Sequence, residues 1–206
     1  MDTNFYDEPG NTSVGKFFRD FFYSMYGYHG VIAEVGGGDA DYLSFSKHFK
    51  NNGWRCLIFE PNPIYAQKHR EANNEIYELA ISNKDEDEVD FTVVGHKDFQ
   101  MSWSGFYPKF DDVNPNWPQE IIKVKSVTLN TILSEINVNK IDILHVDVEG
   151  WEQEVIEGID FDKIDVRFVV LEDYKGRGAY NEYMKSRGYK FLTNLHINFI
   201  YVKDRN

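Results

Sequence analysis

A single cysteine, Cys56, stands in a chain of 206 residues. One thiol closes no internal disulfide and builds no zinc cluster; inside Trp54-Arg55-Cys56-Leu57-Ile58-Phe59 it reads as a small buried hydrophobe. Positive charge is also scarce, since 22 Lys and Arg against 34 Asp and Glu leave a net charge of −12. A nucleic-acid surface needs a basic footprint, and an anionic membrane attracts the same kind of patch, so neither partner is expected. No run approaches the roughly 20 apolar residues of a membrane helix. The start, Met1-Asp2-Thr3-Asn4, lacks the basic-then-apolar order of a secretory leader. These absences together predict a cytoplasmic protein in a reducing compartment, and they are compatible with a homo-oligomer.

What is present is apolar patterning. Hydrophobic residues make up 42% and aromatics 16% of the chain, enough for a folded core in one domain of this length. Residues 1–12 are polar and read as a flexible N-terminal arm ahead of a single domain over 13–206. Within 13–30, Val14, Phe17, Phe18, Phe21, Phe22, Met25 and Tyr26 recur at helical spacing, predicting an amphipathic helix whose aromatic face packs on a sheet edge or a ligand cleft. Strands are expected at Val31–Val35, Cys56–Phe59, Ile76–Ile81, Ile141–Val146 and Arg167–Leu171. Helices fall between them, one carrying Tyr42, Phe45 and Phe49 on one face, others opening at Pro61, Thr128, Trp151 and Tyr180. Two alternating segments, near Val89–Val93 and Ile121–Val127, predict an extra strand pair around a long loop, 95–120. Tyr189–Thr193 and Phe199–Lys203 are spaced as a closing antiparallel hairpin. The rhythm predicts an α/β fold, a mostly parallel sheet with helices on both faces. Such sheets bind ligands beyond the carboxyl ends of their strands.

Those strand ends carry acids: Glu34, Glu60, Asp147 with Glu149, and Glu172-Asp173. The first turn, Glu34-Val35-Gly36-Gly37-Gly38-Asp39-Ala40-Asp41, offers glycines where backbone must approach a ligand closely. Counting from Gly36, Asp41 occupies the last position of a dinucleotide fingerprint, where Gly or Ala is needed, and no Gly-Lys-Ser/Thr follows. An acid at the strand end suits a cationic amino group rather than a pyrophosphate. Glu60, at the end of the next strand, suits two ribose hydroxyls. A ligand with an ammonium and a ribose but no phosphate answers both, and S-adenosylmethionine is such a ligand.

The segments Glu34-Val35-Gly36-Gly37-Gly38, Phe59-Glu60-Pro61-Asn62-Pro63, Leu79-Ala80-Ile81-Ser82, Val127-Thr128-Leu129, Asp147-Val148-Glu149-Gly150 and Val169-Val170-Leu171-Glu172, in this order, resemble the FkbM family of S-adenosylmethionine-dependent methyltransferases. The resemblance runs from about residue 31 to the C-terminus. It implies the class I methyltransferase Rossmann-like fold and methyl transfer to a hydroxyl of a sugar or small hydroxylated metabolite. It also implies a cofactor site formed by Glu34, Gly36, Gly38, Asp41, Glu60, Pro61, Ala80, Ile81 and Asp147. Glu34, Gly38, Ala40, Asn130 and His145 stand where the family more often has Asp, Asn, Gly, Asp and Lys.

Methyl transfer from a sulfonium is an in-line displacement that needs alignment and removal of the acceptor's proton. Asp147 is the first candidate to face the reacting end, with Glu149 beside it as base or helix-starting residue. His196, in the closing hairpin, is the third catalytic candidate. His145 reads as a core histidine that alternates with Asp147. A divalent metal held by Asp147, Glu149 and Glu172 or Asp173 is the lesser reading, and no metal is expected. In the long loop, Trp103, Tyr107 and Trp117 are candidates to hold a small-molecule or glycan acceptor. The alternative is a protein of the same fold that binds the cofactor, or serves as a scaffold, without turnover.

Overall fold

The computed structural model describes residues 4–7, 13–22, 25, 27–94, 104–106, 119–174 and 177–205. In chain order its elements are α1 (Val14–Phe22), β1 (Val31–Val35), α2 (Ser46–Asn51), β2 (Arg55–Phe59), α3 (Pro63–Glu71), β3 (Glu75–Tyr77), β4 (Ala80–Ile81), β5 (Glu86–Val94) and β6 (Gly105–Phe106). They continue with β7 (Gln119–Val127), α4 (Leu129–Glu135), β8 (Lys140–Val146), α5 (Glu152–Glu157), β9 (Asp165–Glu172), α6 (Asn181–Ser186), β10 (Tyr189–Leu195) and β11 (Asn198–Lys203).

Seven strands form the large sheet in the order β10-β11-β9-β8-β1-β2-β3. The five from β9 to β3 run parallel. The closing hairpin adds β11 and β10 antiparallel, as its spacing predicts. Helices cover both faces because strand side chains alternate. Ala33, Val35, Leu57, Phe59, Leu144 and Val146 bury one face with Leu133 of α4, Val155 of α5 and Met184 of α6. Ile32, Cys56, Ile143, Phe168 and Val170 bury the other with Phe18 and Phe22 of α1 and Phe49 of α2. Cys56 is buried, as expected.

The helix termini follow local chemistry. Asn62 accepts from the Ile64 N–H and precedes Pro63, an N-cap followed by proline at the first helical position. Thr128 caps α4 by accepting from the Thr131 N–H. Residues 4–7 of the arm lie on the body: Asp7 accepts from the Ser13 hydroxyl and the Gly15 N–H, and Phe5 stacks on His48.

Three expectations need correction. The aromatic helix packs on the broad face of the sheet, where Phe18 and Phe22 join Ile32, Ile143 and Val170 and the Phe18 ring lies 5.2 Å from that of Phe168 of β9. The Tyr42-Phe45-Phe49 stripe is only half helical, because Leu43 takes φ 55°; Phe45 and Phe49 are buried while Tyr42 is exposed. The single strand expected over 76–81 divides in two. Glu75–Tyr77 pairs with β2, whereas Ala80–Ile81 leaves to pair with Ser126 and Val127 at the end of β7, whose Val127 carbonyl also takes the Ser82 N–H. That departure founds a second, four-stranded sheet, β4-β7-β5-β6, which contains the extra strand pair. Among the described residues no helix is long and apolar enough to cross a membrane.

Candidate active site

The carboxyl ends of β1, β2 and β8 open into one pocket, and β4, β5 and β6 of the second sheet close its side. Glu34, Gly36, Gly38, Glu60, Pro61, Ala80, Ile81, Asp147 and Glu149 all line it. The pocket is built from its floor. Gly36 and Gly37 donate to the Phe59 carbonyl, at 3.0 and 3.2 Å, extending the β1·β2 ladder into the turn. A side chain at Gly36 has no room: a Cβ there meets the Asp147 carbonyl oxygen at 1.7 Å, and φ is +85°. The glycine is what lets the first turn pass directly against the strand end that carries Asp147.

Glu60 is buried, and its two oxygens are held by backbone. Oε2 accepts from the Gly38 N–H at 2.8 Å and Oε1 from the Asn62 N–H at 2.7 Å. Each oxygen retains a second acceptor position. Burial pushes the carboxyl up to about 7, against the pull of those two N–H donors. Glu34 and His145 are register partners on β1 and β8, so both point to the α1–α2 face. Phe45 joins them, donating its N–H to Glu34 Oε1 at 3.2 Å and stacking on the imidazole with ring centres 4.5 Å apart. Two buried atoms in this wall have no hydrogen-bond partner, Glu34 Oε2 and His145 Nδ1. Burial moves both side chains toward neutrality, Glu34 up to about 7 and His145 down to about 4. His145 is thus both a core residue and a pocket-wall residue.

Across the pocket, β8 and β9 end in acids. Asp147, Glu149 and Glu172 each offer an oxygen within 4.8 Å of the others, a spacing that suits one divalent cation as well as a shared proton. Glu149 takes φ 56°, rare for a residue with a side chain. Burial, with Asp147 and Glu152 adding repulsion, pushes its carboxyl up to about 8. Burial first, then the charges of Asp147 and Glu149, hold Glu172 far above the usual carboxylate range. Glu152 and Asp173 are engaged otherwise. Glu152 accepts from the Gly150 N–H at 3.0 Å and the Tyr180 hydroxyl at 2.8 Å, and Asp173 accepts from the Ala179 N–H at 2.8 Å.

A comparison with family models matches residues 31–191 to the methyltransferase FkbM domain. The chain belongs to the FkbM methyltransferase family. The match begins at β1 and ends within β10, so it takes in every residue of the pocket. Among curated proteins, no individual one matches the chain.

Not every candidate of this FkbM methyltransferase comes to the pocket. Asp41 lies outside the lining, exposed and 2.5 Å from Lys47. His196 is exposed at φ 55° in the β10–β11 turn; that turn shares the rim, since Asn198 pairs with Glu172, but His196 is not in the lining. Trp103, Tyr107 and Trp117 lie outside the described residues. Tyr42, Leu43, Tyr65 and Phe91 line the pocket without any motif to mark them, and Phe106, an aromatic of the long loop 95–120, lines it with them. Phe106 rests on Trp151, ring centres 4.7 Å apart, and Trp151 donates to the Ser82 hydroxyl at 3.0 Å. Those contacts tie the second sheet to the rim.

Proposed function

We propose that this FkbM methyltransferase uses S-adenosylmethionine to methylate a hydroxyl of a sugar or small hydroxylated metabolite. The observation that carries the reading is one pocket with two chemically distinct halves: Glu60 fixed by backbone beside the glycine turn, and the Asp147 and Glu149 carboxyls after β8, with a Glu172 oxygen within 4.8 Å of theirs from just outside the lining. The large sheet, with its parallel strands and closing hairpin, supports the class I methyltransferase Rossmann-like fold that the resemblance implies.

The pocket's own groups fit the cofactor. Glu60 has acceptor positions to spare for two ribose hydroxyls. Glu34 Oε2, buried and unpartnered, fits an ammonium, whose arrival would favour the charged carboxylate. Gly36 and Gly38 keep the backbone close, and Pro61, Ala80, Ile81, Tyr65 and Phe91 supply apolar wall for a purine. When bound, S-adenosylmethionine supplies an electrophilic methyl on a sulfonium. The protein's part is then to align the acceptor oxygen and take its proton.

Glu149 has the proton affinity for that task, because a general base works best near the operating pH. Glu172, whose proton affinity is raised by burial and by the charges of Asp147 and Glu149, favours a proton held within the acid cluster and so limits its charge. Asp147, whose carbonyl touches the Gly36 turn, ties the two halves together. An acidic rim disfavours a phosphate or carboxylate acceptor and leaves a neutral hydroxyl well served. Incubation with cofactor labelled on the methyl group and a panel of neutral glycans, sugar acids and phosphorylated sugars tests this. Label on neutral hydroxyls is the expected result; label only on nitrogen or on anionic acceptors would refute it.

A further inference from the structure

A hydrogen-bonded chain runs through α2 and α3 to the back of the glycine turn. Lys50, in the last turn of α2, donates to Asn74 Oδ1 at 2.5 Å and to the Ala72 carbonyl at 2.7 Å. With its oxygen held there, the Asn74 amide presents its NH2 to His69 Nδ1 at 2.7 Å. An Nδ1 that accepts leaves the proton on Nε2. That Nε2–H, fully buried, reaches the carbonyls of Gly38 at 3.1 Å and Gly37 at 3.3 Å. Every donor and acceptor in the sequence Lys50, Asn74, His69, glycine turn therefore has one direction.

The turn is gripped from both sides. Its inner N–H groups go to Glu60 and the Phe59 carbonyl, Gly38 to Glu60 Oε2 at 2.8 Å and Gly37 to Phe59 at 3.2 Å. Its outer carbonyls go to His69. A Cβ at Gly37 meets Ile58 Cγ2 at 2.3 Å and His69 Nε2 at 3.2 Å, so the peptide is wedged between β2 and α3. Without the imidazole donor the Gly37 and Gly38 carbonyls lose this hydrogen-bond partner, and the outer side of the grip is gone.

We propose that His69, oriented by Asn74 and Lys50, is a positioning residue for the cofactor: it sets the geometry of the Gly37–Gly38 turn without touching the cofactor itself. The inference rests on the reading that this turn holds S-adenosylmethionine. A merely space-filling His69 would tolerate Phe and gain nothing from Gln, whereas a donor would be lost in Phe and restored in Gln, whose amide nitrogen reaches about as far as Nε2. Asn74→Asp would turn the partner of Nδ1 into an acceptor, move the proton to Nδ1, and aim a lone pair at the glycine carbonyls.

The test is titration calorimetry of wild type, His69→Phe, His69→Gln and Asn74→Asp with S-adenosylmethionine, together with the 15N shifts of the His69 ring in the unliganded protein. Affinity is expected to fall about tenfold or more in His69→Phe and Asn74→Asp, the loss of one buried hydrogen bond, and to stay within about threefold in His69→Gln. The wild-type ring is expected to be protonated on Nε2, and the Asn74→Asp ring on Nδ1. Phe binding as tightly as wild type, Gln binding as weakly as Phe, or a wild-type ring protonated on Nδ1 would each overturn the proposal while leaving the cofactor reading intact. No binding by wild type would overturn the cofactor reading and this proposal with it.

Discussion

The two halves of the pocket are both built on buried carboxyls and differ in what holds them. At the end of β2, Glu60 stands alone, with each oxygen on a backbone N–H; its surroundings fix its position. After β8 and β9, three carboxyls offer oxygens within 4.8 Å of one another, and for Glu149 and Glu172 the neighbouring negative charges add to burial in raising proton affinity. A buried acid with directed donors is a structural fixture, and buried acids facing each other are a proton store. The first half suits holding a ligand and the second suits moving a proton.

The sharpest way to break the comparison is at the point where the halves touch. Gly36→Ala places a methyl into the Asp147 carbonyl at an unfavourable φ, and both clash and strain oppose it. We expect a loss of about 3 kcal/mol in urea unfolding and no measurable cofactor binding by calorimetry. Next in size is Glu149→Gln, which removes the proposed base. A fall in kcat of about a hundredfold or more is expected, with cofactor affinity changed by less than about threefold. Turnover like wild type would move the base elsewhere on the rim.

In pH, the same half has a sign that can be checked. Glu149 holds its proton up to about 8 when folded and loses it near 4.5 when unfolded. The folded state therefore binds more protons between those values, and stability declines as pH rises through that window. Unfolding midpoints measured from pH 5 to 8 are expected to fall in wild type and to fall less in Glu149→Gln. Activity should move the other way, rising with pH through a midpoint near 8 as the base ionises. The smallest effect is expected at the exposed turn. His196→Ala should alter kcat by less than about twofold, consistent with its place outside the lining; a large loss would bring that turn into the site.

Much of this was legible before any coordinates, for reasons particular to certain residues. An apolar run ended by an acid marks a parallel strand and its ligand-facing end, which is how Glu34, Glu60 and Asp147 could be found. Pro63 after Asn62 marks a helix start because the backbone preference of proline is intrinsic, whereas Gly158, at φ −77°, is required by the Ser82 carbonyl oxygen, which a Cβ would meet at 2.2 Å. The division of the third strand was not legible, since Ala80 and Ile81 are as apolar as a continuing strand and only β7, far away in sequence, draws them off. Nor was the turn before α2: Leu43 at φ 55° has no side-chain signature for that conformation. Tyr65 and Phe91 read as ordinary core, because a pocket wall and a core contact use the same side chains. The His69 relay was missed for a different reason. Its three members come from α2, α3 and the connection between α3 and β3, and nothing in their spacing shows that one hydrogen-bond direction runs through them.

The account stands or falls on the first half of the pocket. Calorimetry of the wild-type protein and of Glu60→Ala with S-adenosylmethionine addresses it directly. The expected result is saturable one-to-one binding by wild type, weakened about a hundredfold in Glu60→Ala, in which the Gly38 and Asn62 N–H groups also lose their acceptor. Equal affinity in the two proteins, or none in wild type, would contradict it.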